Sequence, residues 1–288
     1  MELTNISEIK PLLERYGFSF SKSLGQNFLI NAAIPVKIAE NCGAGPEDIV
    51  LEIGPGIGCL TKELAKRAKR VISVEIDKKL IPVLQETLAE FDNVTVINKD
   101  ILEVDIKELC ETLGCKELYV CANLPYYITT PIIMKLLESN APIKCITVMV
   151  QKELAQRFCS KPNTAEYGSV TASINYRAEV KNLFTVSPGS FLPAPKVSSS
   201  VIRLDIVPPP VEVKDEKIFF RVIRAAFAMR RKTLSNNLAN EFKITKAEAT
   251  EIIKNCGYSE TVRGEALSIF DYAKISDEIV SLQKSTIY

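Results

Sequence analysis

The chain has 288 residues, 47% of them hydrophobic, with 36 basic and 35 acidic side chains and no histidine. That length carries a full α/β domain and a smaller second one, and the missing imidazole excludes Ser-His-Asp triads, Cys-His pairs and His-ligated zinc. No apolar run approaches bilayer length and the opening MELTNISEIK has neither the basic nor the apolar region of a secretion signal, so a cytoplasmic protein off the membrane is expected. The eight cysteines form no C-x-x-C pair and several sit inside apolar runs, so they read as small hydrophobes and no metal is expected.

Beyond an N-terminal segment of residues 1–40, short β-branched runs alternate with helical patterns. The strands are predicted over 49–53, 70–76, 94–98, 118–122 and 145–150, and the intervening TKELAKRA and KKLIPVLQETLAEF have apolar residues at helical spacing. Such alternation implies βαβ units and a parallel sheet. Thr129 or Thr130 before Pro131 reads as a capped helix start. Residues 167–177 are ambiguous and are read as helix, because VKNLFTV and VSSSVIRLDIV look like a closing antiparallel pair. Val207-Pro208-Pro209-Pro210 then marks a linker. The expected domains are therefore 1–207, α/β, and 211–288, all-helical, since IFFRVIRAAFAMRRKTLSNNLA, KAEATEIIKNCG and GEALSIFDYAKISDEIVSL show helical period without strands.

The first strand ends in L-E-I-G-P-G-I-G, with Gly54, Gly56 and Gly58 in a turn that leads into a helix near Leu60. A dinucleotide fingerprint would place its third glycine at position 59, which is Cys59, so the turn suits a nucleoside better than a pyrophosphate. Glu75 ends the second strand, where a carboxylate can accept both hydroxyls of a ribose. Asp100 follows the third strand at the same sheet edge and is assigned to the adenine amine, with Ile76 and Ile101 packing on the base. Asp77 and Asp105 are left as surface or helix-cap residues.

The fourth strand terminates in Asn123-Leu124-Pro125-Tyr126. An adenine exocyclic amine is a poor nucleophile because its lone pair is delocalised into the ring. Two oriented acceptors, the Asn123 side-chain oxygen and the Leu124 carbonyl, can draw it out of the ring plane as charge develops. Pro125 fixes the turn without a competing N–H, and Tyr126 offers a stacking face. No general base is required before methyl transfer, in keeping with a chain that has no histidine. A plain strand-to-helix turn is the bland alternative for these four residues.

L-G-Q-N-F-L (24–29), E-I-G-P-G-I-G (52–58), V-E-I-D (74–77), N-L-P-Y (123–126), F-L-P-A-P-K-V (191–197) and R-R-K-T-L-S-N-N-L (230–238) resemble, in order and across nearly the whole chain, the bacterial small-subunit rRNA adenine dimethyltransferases. The resemblance implies a class I methyltransferase with a Rossmann-like, mostly parallel seven-stranded sheet and a small C-terminal helical domain. It implies S-adenosylmethionine as cofactor and dimethylation of two adjacent adenosines in the 3′-terminal hairpin of 16S rRNA during ribosome biogenesis, by a monomer. It adds Asn27 and Leu29 to the cofactor contacts and places Phe191 against the target adenine opposite Tyr126. Ser198 departs from the family, which often has an acid there.

Between 211 and 240 seven Lys or Arg face three acids. Arg221, Arg224, Arg231 and Lys232 are read as an RNA-contact face of one basic helix whose acidic partners are missing from 218–240. Three other readings stay open: a large-subunit rRNA adenine methyltransferase of the antibiotic-resistance type, a non-catalytic RNA-binding or transcription factor on the same fold, and an NAD-dependent dehydrogenase. The last is disfavoured by Cys59 and the absent histidine.

Overall fold

The computed structural model describes residues 1–21 and 24–285. Nine strands are assigned among them: β1 (Phe28–Leu29), β2 (Ile49–Ile53), β3 (Arg70–Glu75), β4 (Val94–Asn98), β5 (Leu118–Asn123), β6 (Ile143–Gln151), β7 (Ala178–Val186), β8 (Phe191–Leu192) and β9 (Ser199–Ile206). Seven form one sheet in the order β4-β3-β2-β5-β6-β9-β7, while β1 and β8 pair as a separate antiparallel ribbon. Strands β2 to β6 run parallel and β9 is antiparallel to β6. The expected class I architecture is thus present, with β7 beside β9 at the far edge.

Both faces of the sheet are covered, which is why its strands read as nearly continuous apolar runs. Val50, Val71, Cys121 and Met149 turn to one side, in a core shared with Ile38 of helix Ala33–Cys42 and Leu60 and Leu64 of helix Cys59–Ala65. Their neighbours Leu51, Ile72, Val120 and Val148 face the other way and are equally buried. The strand order reverses around β2, so β2, β3 and β5 present their carboxyl ends together, the place where open α/β sheets hold ligands.

The chain divides into two compact units. The first comprises Met1–Ala155 and Val180–Ile206; the second takes Gln156–Glu179 together with the chain from Val207 onward. The Val207 boundary agrees with the triple proline, but the first expected domain loses residues 156–179. Residues 167–177 do form a helix (Ser169–Asn175), and Tyr167, Ala172 and Tyr176 pack with Phe219, Val222 and Tyr272 of the helical unit, which explains the reassignment. The single basic helix expected there is two, Glu216–Ala228 and Leu234–Phe242, separated by a turn. Helix Thr129–Glu138 starts one residue past Ile128 without a side-chain cap; the Thr129 hydroxyl donates instead to the Pro125 carbonyl at 3.0 Å.

Candidate active site

A cleft opens at the carboxyl edge of the first unit, lined by residues 24–29, the β2 turn, the ends of β3 and β5, and Lys99, Asp100 and Ile101. Gly54, Gly56 and Gly58 all have positive φ (+68°, +60° and +95°), the region that side chains other than glycine avoid. A Cβ on Gly54 would meet nothing within 4 Å, so this backbone faces the open cleft, whereas one on Gly56 would press the Phe28 ring at 3.2 Å.

Glu75 sits at the end of β3, 5% exposed. Its Oε1 accepts from the Asp77 backbone N–H at 2.8 Å and its Oε2 from that of Gly56 at 3.3 Å. Burial pushes its carboxyl up to about 7 against the pull of those two N–H donors. A second buried acid stands close by. Glu52, within β2, accepts at Oε2 from the Thr61 and Ser73 hydroxyls, each at 2.7 Å, while its Oε1 is buried without a hydrogen bond among the described residues. Burial raises this carboxyl to about 7 as well, and the nearby Glu75 charge adds to the effect.

Asp100 caps a short 3-10 turn by accepting from Leu102 N–H at 2.9 Å and lines the cleft. Ile76 is exposed at the rim and Ile101 is buried in the wall. Glu52, Glu75 and Asp100 thus line the cleft, with Lys99 as its one basic lining residue among the described residues. Oxygen acceptors predominate along the cleft, which suits a ligand rich in hydroxyls and amines.

Asn123 ends β5 opposite Met149, and its Nδ2 donates to the Asn27 carbonyl at 3.3 Å. This bond holds the amide so that Oδ1 is left without a partner among the described residues. The Leu124 N–H donates to Met149, and the Leu124 carbonyl likewise accepts nothing among the described residues. Two free acceptors therefore stand at consecutive residues of the strand end, the arrangement expected for an exocyclic amine. Tyr126 lines the same cleft, half-buried, its hydroxyl 2.7 Å from Ser199 Oγ; burial raises its pKa. Asn27 and Leu29 also line the cleft, with Leu29 buried.

Phe191 does not join them. It is 3% exposed and packs with Leu29, Ile38, Val186 and Val201, because the β1–β8 ribbon sets it opposite Leu29 and turns its ring into the core. The aromatic that is exposed at the rim is Tyr127, 59% accessible and in the cleft lining.

The basic residues of the second unit also separate. Arg221 is engaged: its Nε lies 3.0 Å from Glu241 Oε1 and its guanidinium 4.5 Å from the Phe242 ring centre. The partner, Glu241, lies just past residues 218–240 and comes from the neighbouring helix. Arg224 is exposed on its helix, while Arg231 and Lys232 lie past the helix end at Ala228, in the turn closed by Lys232 N–H to Met229 carbonyl at 2.9 Å.

Glu52, Gln26 and Tyr127 were missed in the sequence. Glu52 had a visible signal, a carboxylate inside an otherwise apolar strand just before the glycine turn. For Gln26 and Tyr127 the only signal was adjacency to motifs already noted.

Comparison with known proteins identifies the family. Residues 17–279 match the family model described as ribosomal RNA adenine dimethylase. The chain belongs to that family. Among its relatives, ribosomal RNA small subunit methyltransferase A of Bacillus cytotoxicus is 48% identical over 285 residues, covering 97% of this chain and 98% of the relative. A dimethyladenosine transferase from Plasmodium falciparum has the same fold, with a TM-score of 0.74 at 24% identity over 90% of this chain and 98% of that one. The 23S rRNA methyltransferase ErmE is similar at a TM-score of 0.67 and 26% identity, over 88% of this chain and all of that one. Among the described residues no helix is long and apolar enough to cross a membrane.

Proposed function

We propose that this rRNA adenine methyltransferase uses S-adenosylmethionine to dimethylate the exocyclic amines of two adjacent adenosines in the 3′-terminal hairpin of small-subunit (16S) rRNA. The observation that carries the chemistry is the pair of unengaged acceptors, Asn123 Oδ1 and the Leu124 carbonyl, at the edge of an acid-lined cleft.

The cleft fits the cofactor on its own terms. Gly54 leaves room for a close approach of backbone to ligand, Glu75 offers buried carboxylate oxygens to two ribose hydroxyls, and Asp100, which lines the cleft with Ile76 and Ile101, accepts from the adenine amine in this reading. When bound, the cofactor supplies an electrophilic methyl group. Asn123 and Leu124 then do the work of activation: in the first transfer each accepts from one N–H of the target amine, and in the second the one remaining N–H donates to one of them, holding the lone pair out of conjugation with the ring. Their dipoles stabilise the positive charge that grows on nitrogen as the N–C bond forms and the methyl–sulfur bond breaks with its electron pair left on sulfur, and the displaced proton leaves to solvent. Tyr126, braced by Ser199, gives the target base a face to stack on. Arg224, Arg231 and Lys232 supply phosphate contacts from the helical unit.

The small-subunit substrate, rather than the large, is supported by the 48% identity to the Bacillus protein against 26% to ErmE. The test is to incubate purified protein with S-adenosylmethionine and either small-subunit or large-subunit RNA, then map products by mass spectrometry. Dimethyladenosine at two adjacent small-subunit positions is expected; methylation confined to large-subunit RNA, or none, would overturn the reading.

A further inference from the structure

The N-terminal segment is tied across the cleft at two consecutive residues. The Asn27 carbonyl accepts from Asn123 at the end of β5. Gln26 reaches the other side: its Nε2 donates to Asp77 Oδ2 at 2.7 Å, just past the end of β3, while its Oε1 accepts from the Ser21 N–H at 2.8 Å. Since β3 and β5 flank β2, residues 26 and 27 bridge the strand ends on either side of the glycine turn. Asp77 extends the chain of bonds inward. Its Oδ1 accepts from Lys79 N–H at 3.0 Å, and its own N–H donates to Glu75 Oε1 at 2.8 Å. One amide side chain therefore connects the segment that walls the cleft to the carboxylate assigned to the ribose.

We propose that Gln26 and Asp77 form a clasp, a pair of positioning residues that hold residues 24–29 across the cofactor cleft and fix Glu75, so that bound cofactor leaves slowly. The proposal rests on the S-adenosylmethionine reading of the cleft. A ligand in the cleft lies between Leu24 to Leu29 on one side and Val74 to Ile76 on the other, so parting of these two walls loosens its hold. The Gln26–Asp77 bond joins them directly. Its acceptor is a carboxylate, and bonds to charged groups are the stronger class, so its loss converts to roughly a tenfold change in a rate or equilibrium that depends on it.

The bond polarity gives a selective test. Asp77→Asn retains an oxygen to cap Lys79, and asparagine is an excellent cap, but it turns an N–H₂ toward the Gln26 amide, which is itself held by Ser21. Gln26→Glu instead faces the Asp77 carboxylate with another. Each single substitution breaks the clasp, whereas the double variant Gln26→Glu/Asp77→Asn rebuilds it with donor and acceptor exchanged. Hydrogen exchange on the ligand-free full-length protein and stopped-flow dissociation of S-adenosylmethionine are measured for all four proteins.

Both singles should exchange faster across residues 24–29 and release the cofactor about tenfold faster, and the double should return to within about twofold of wild type. Effects that simply multiply in the double variant, or singles indistinguishable from wild type, would overturn the clasp. If exchange shows the reciprocal pattern while dissociation does not, retention of the cofactor by the clasp is refuted. If wild type binds no S-adenosylmethionine, the cofactor reading itself falls and the proposal with it.

Discussion

The raised Glu75 carboxyl makes cofactor affinity depend on pH within the neutral range. Both ribose hydroxyls can donate only to an ionised carboxylate, and burial holds this one at about 7 in the ligand-free protein. Roughly one molecule in ten is then ionised at pH 6 and nine in ten at pH 8. Apparent affinity scales with the competent fraction, so the dissociation constant should fall about tenfold from pH 6 to pH 8 and level off above. Calorimetry at half-unit steps on wild type and Glu75→Gln reads it. Any titration of the ligand's own amine is common to both proteins and cancels in the difference. Glu75→Gln should bind more weakly and without the slope. The sign for stability is opposite. Each folded-state value lies above the ordinary 4.5, so the unfolded state gives up its proton first as pH rises; stability is lost between about 4.5 and 7, by up to about 3 kcal/mol per group. A dissociation constant flat from pH 6 to pH 8 in wild type would refute the assignment of an ionised Glu75 to the ribose.

Three further outcomes follow from packing and charge. Gly264→Ala drives a methyl into the Ala226 carbonyl and to 2.8 Å from the Ala226 side chain, so it should destabilise the helical unit by at least 2 to 3 kcal/mol in denaturant unfolding, on the order of an overpacked core. Phe191→Ala should cost about 3 to 5 kcal/mol by the same measurement, as for a core aromatic; full stability with loss of RNA affinity alone would return Phe191 to the base. Replacing Arg224, Arg231 and Lys232 by alanine together should weaken RNA binding and flatten its salt dependence by roughly one unit per charge, read by filter binding across salt concentrations, whereas Arg221→Ala should leave that slope unchanged.

Much of the site was legible because its elements are local. Five strand-like runs with intervening helical period define a parallel sheet, and G-x-G-x-G, Glu75, Asp100 and N-L-P-Y each follow a strand directly, so their meeting at one edge follows from strand direction alone. What was not legible depends on pairings distant in the chain. Phe191 is buried by a two-residue ribbon with Leu29, far too short to leave a pattern. The partner of Arg221 comes from the next helix, at Glu241, and the contact is set by helix packing rather than by i,i+4 spacing. Asp77 was visible as a cap, which it is, but its second oxygen binds Gln26, 51 residues away. Residues 156–179 joined the helical unit because Tyr167 and Tyr176 find their apolar partners there, a choice that local helical period cannot record.

The central claim is that the strand-end acceptors activate the amine, and single-turnover methylation of small-subunit RNA by Asn123→Ala tests it most directly. With enzyme in excess and S-adenosylmethionine saturating, binding defects are removed from the rate. The loss of one oriented acceptor should then slow methyl transfer about a hundredfold or more, in a protein whose thermal unfolding is close to wild type. A near-normal single-turnover rate would contradict the account.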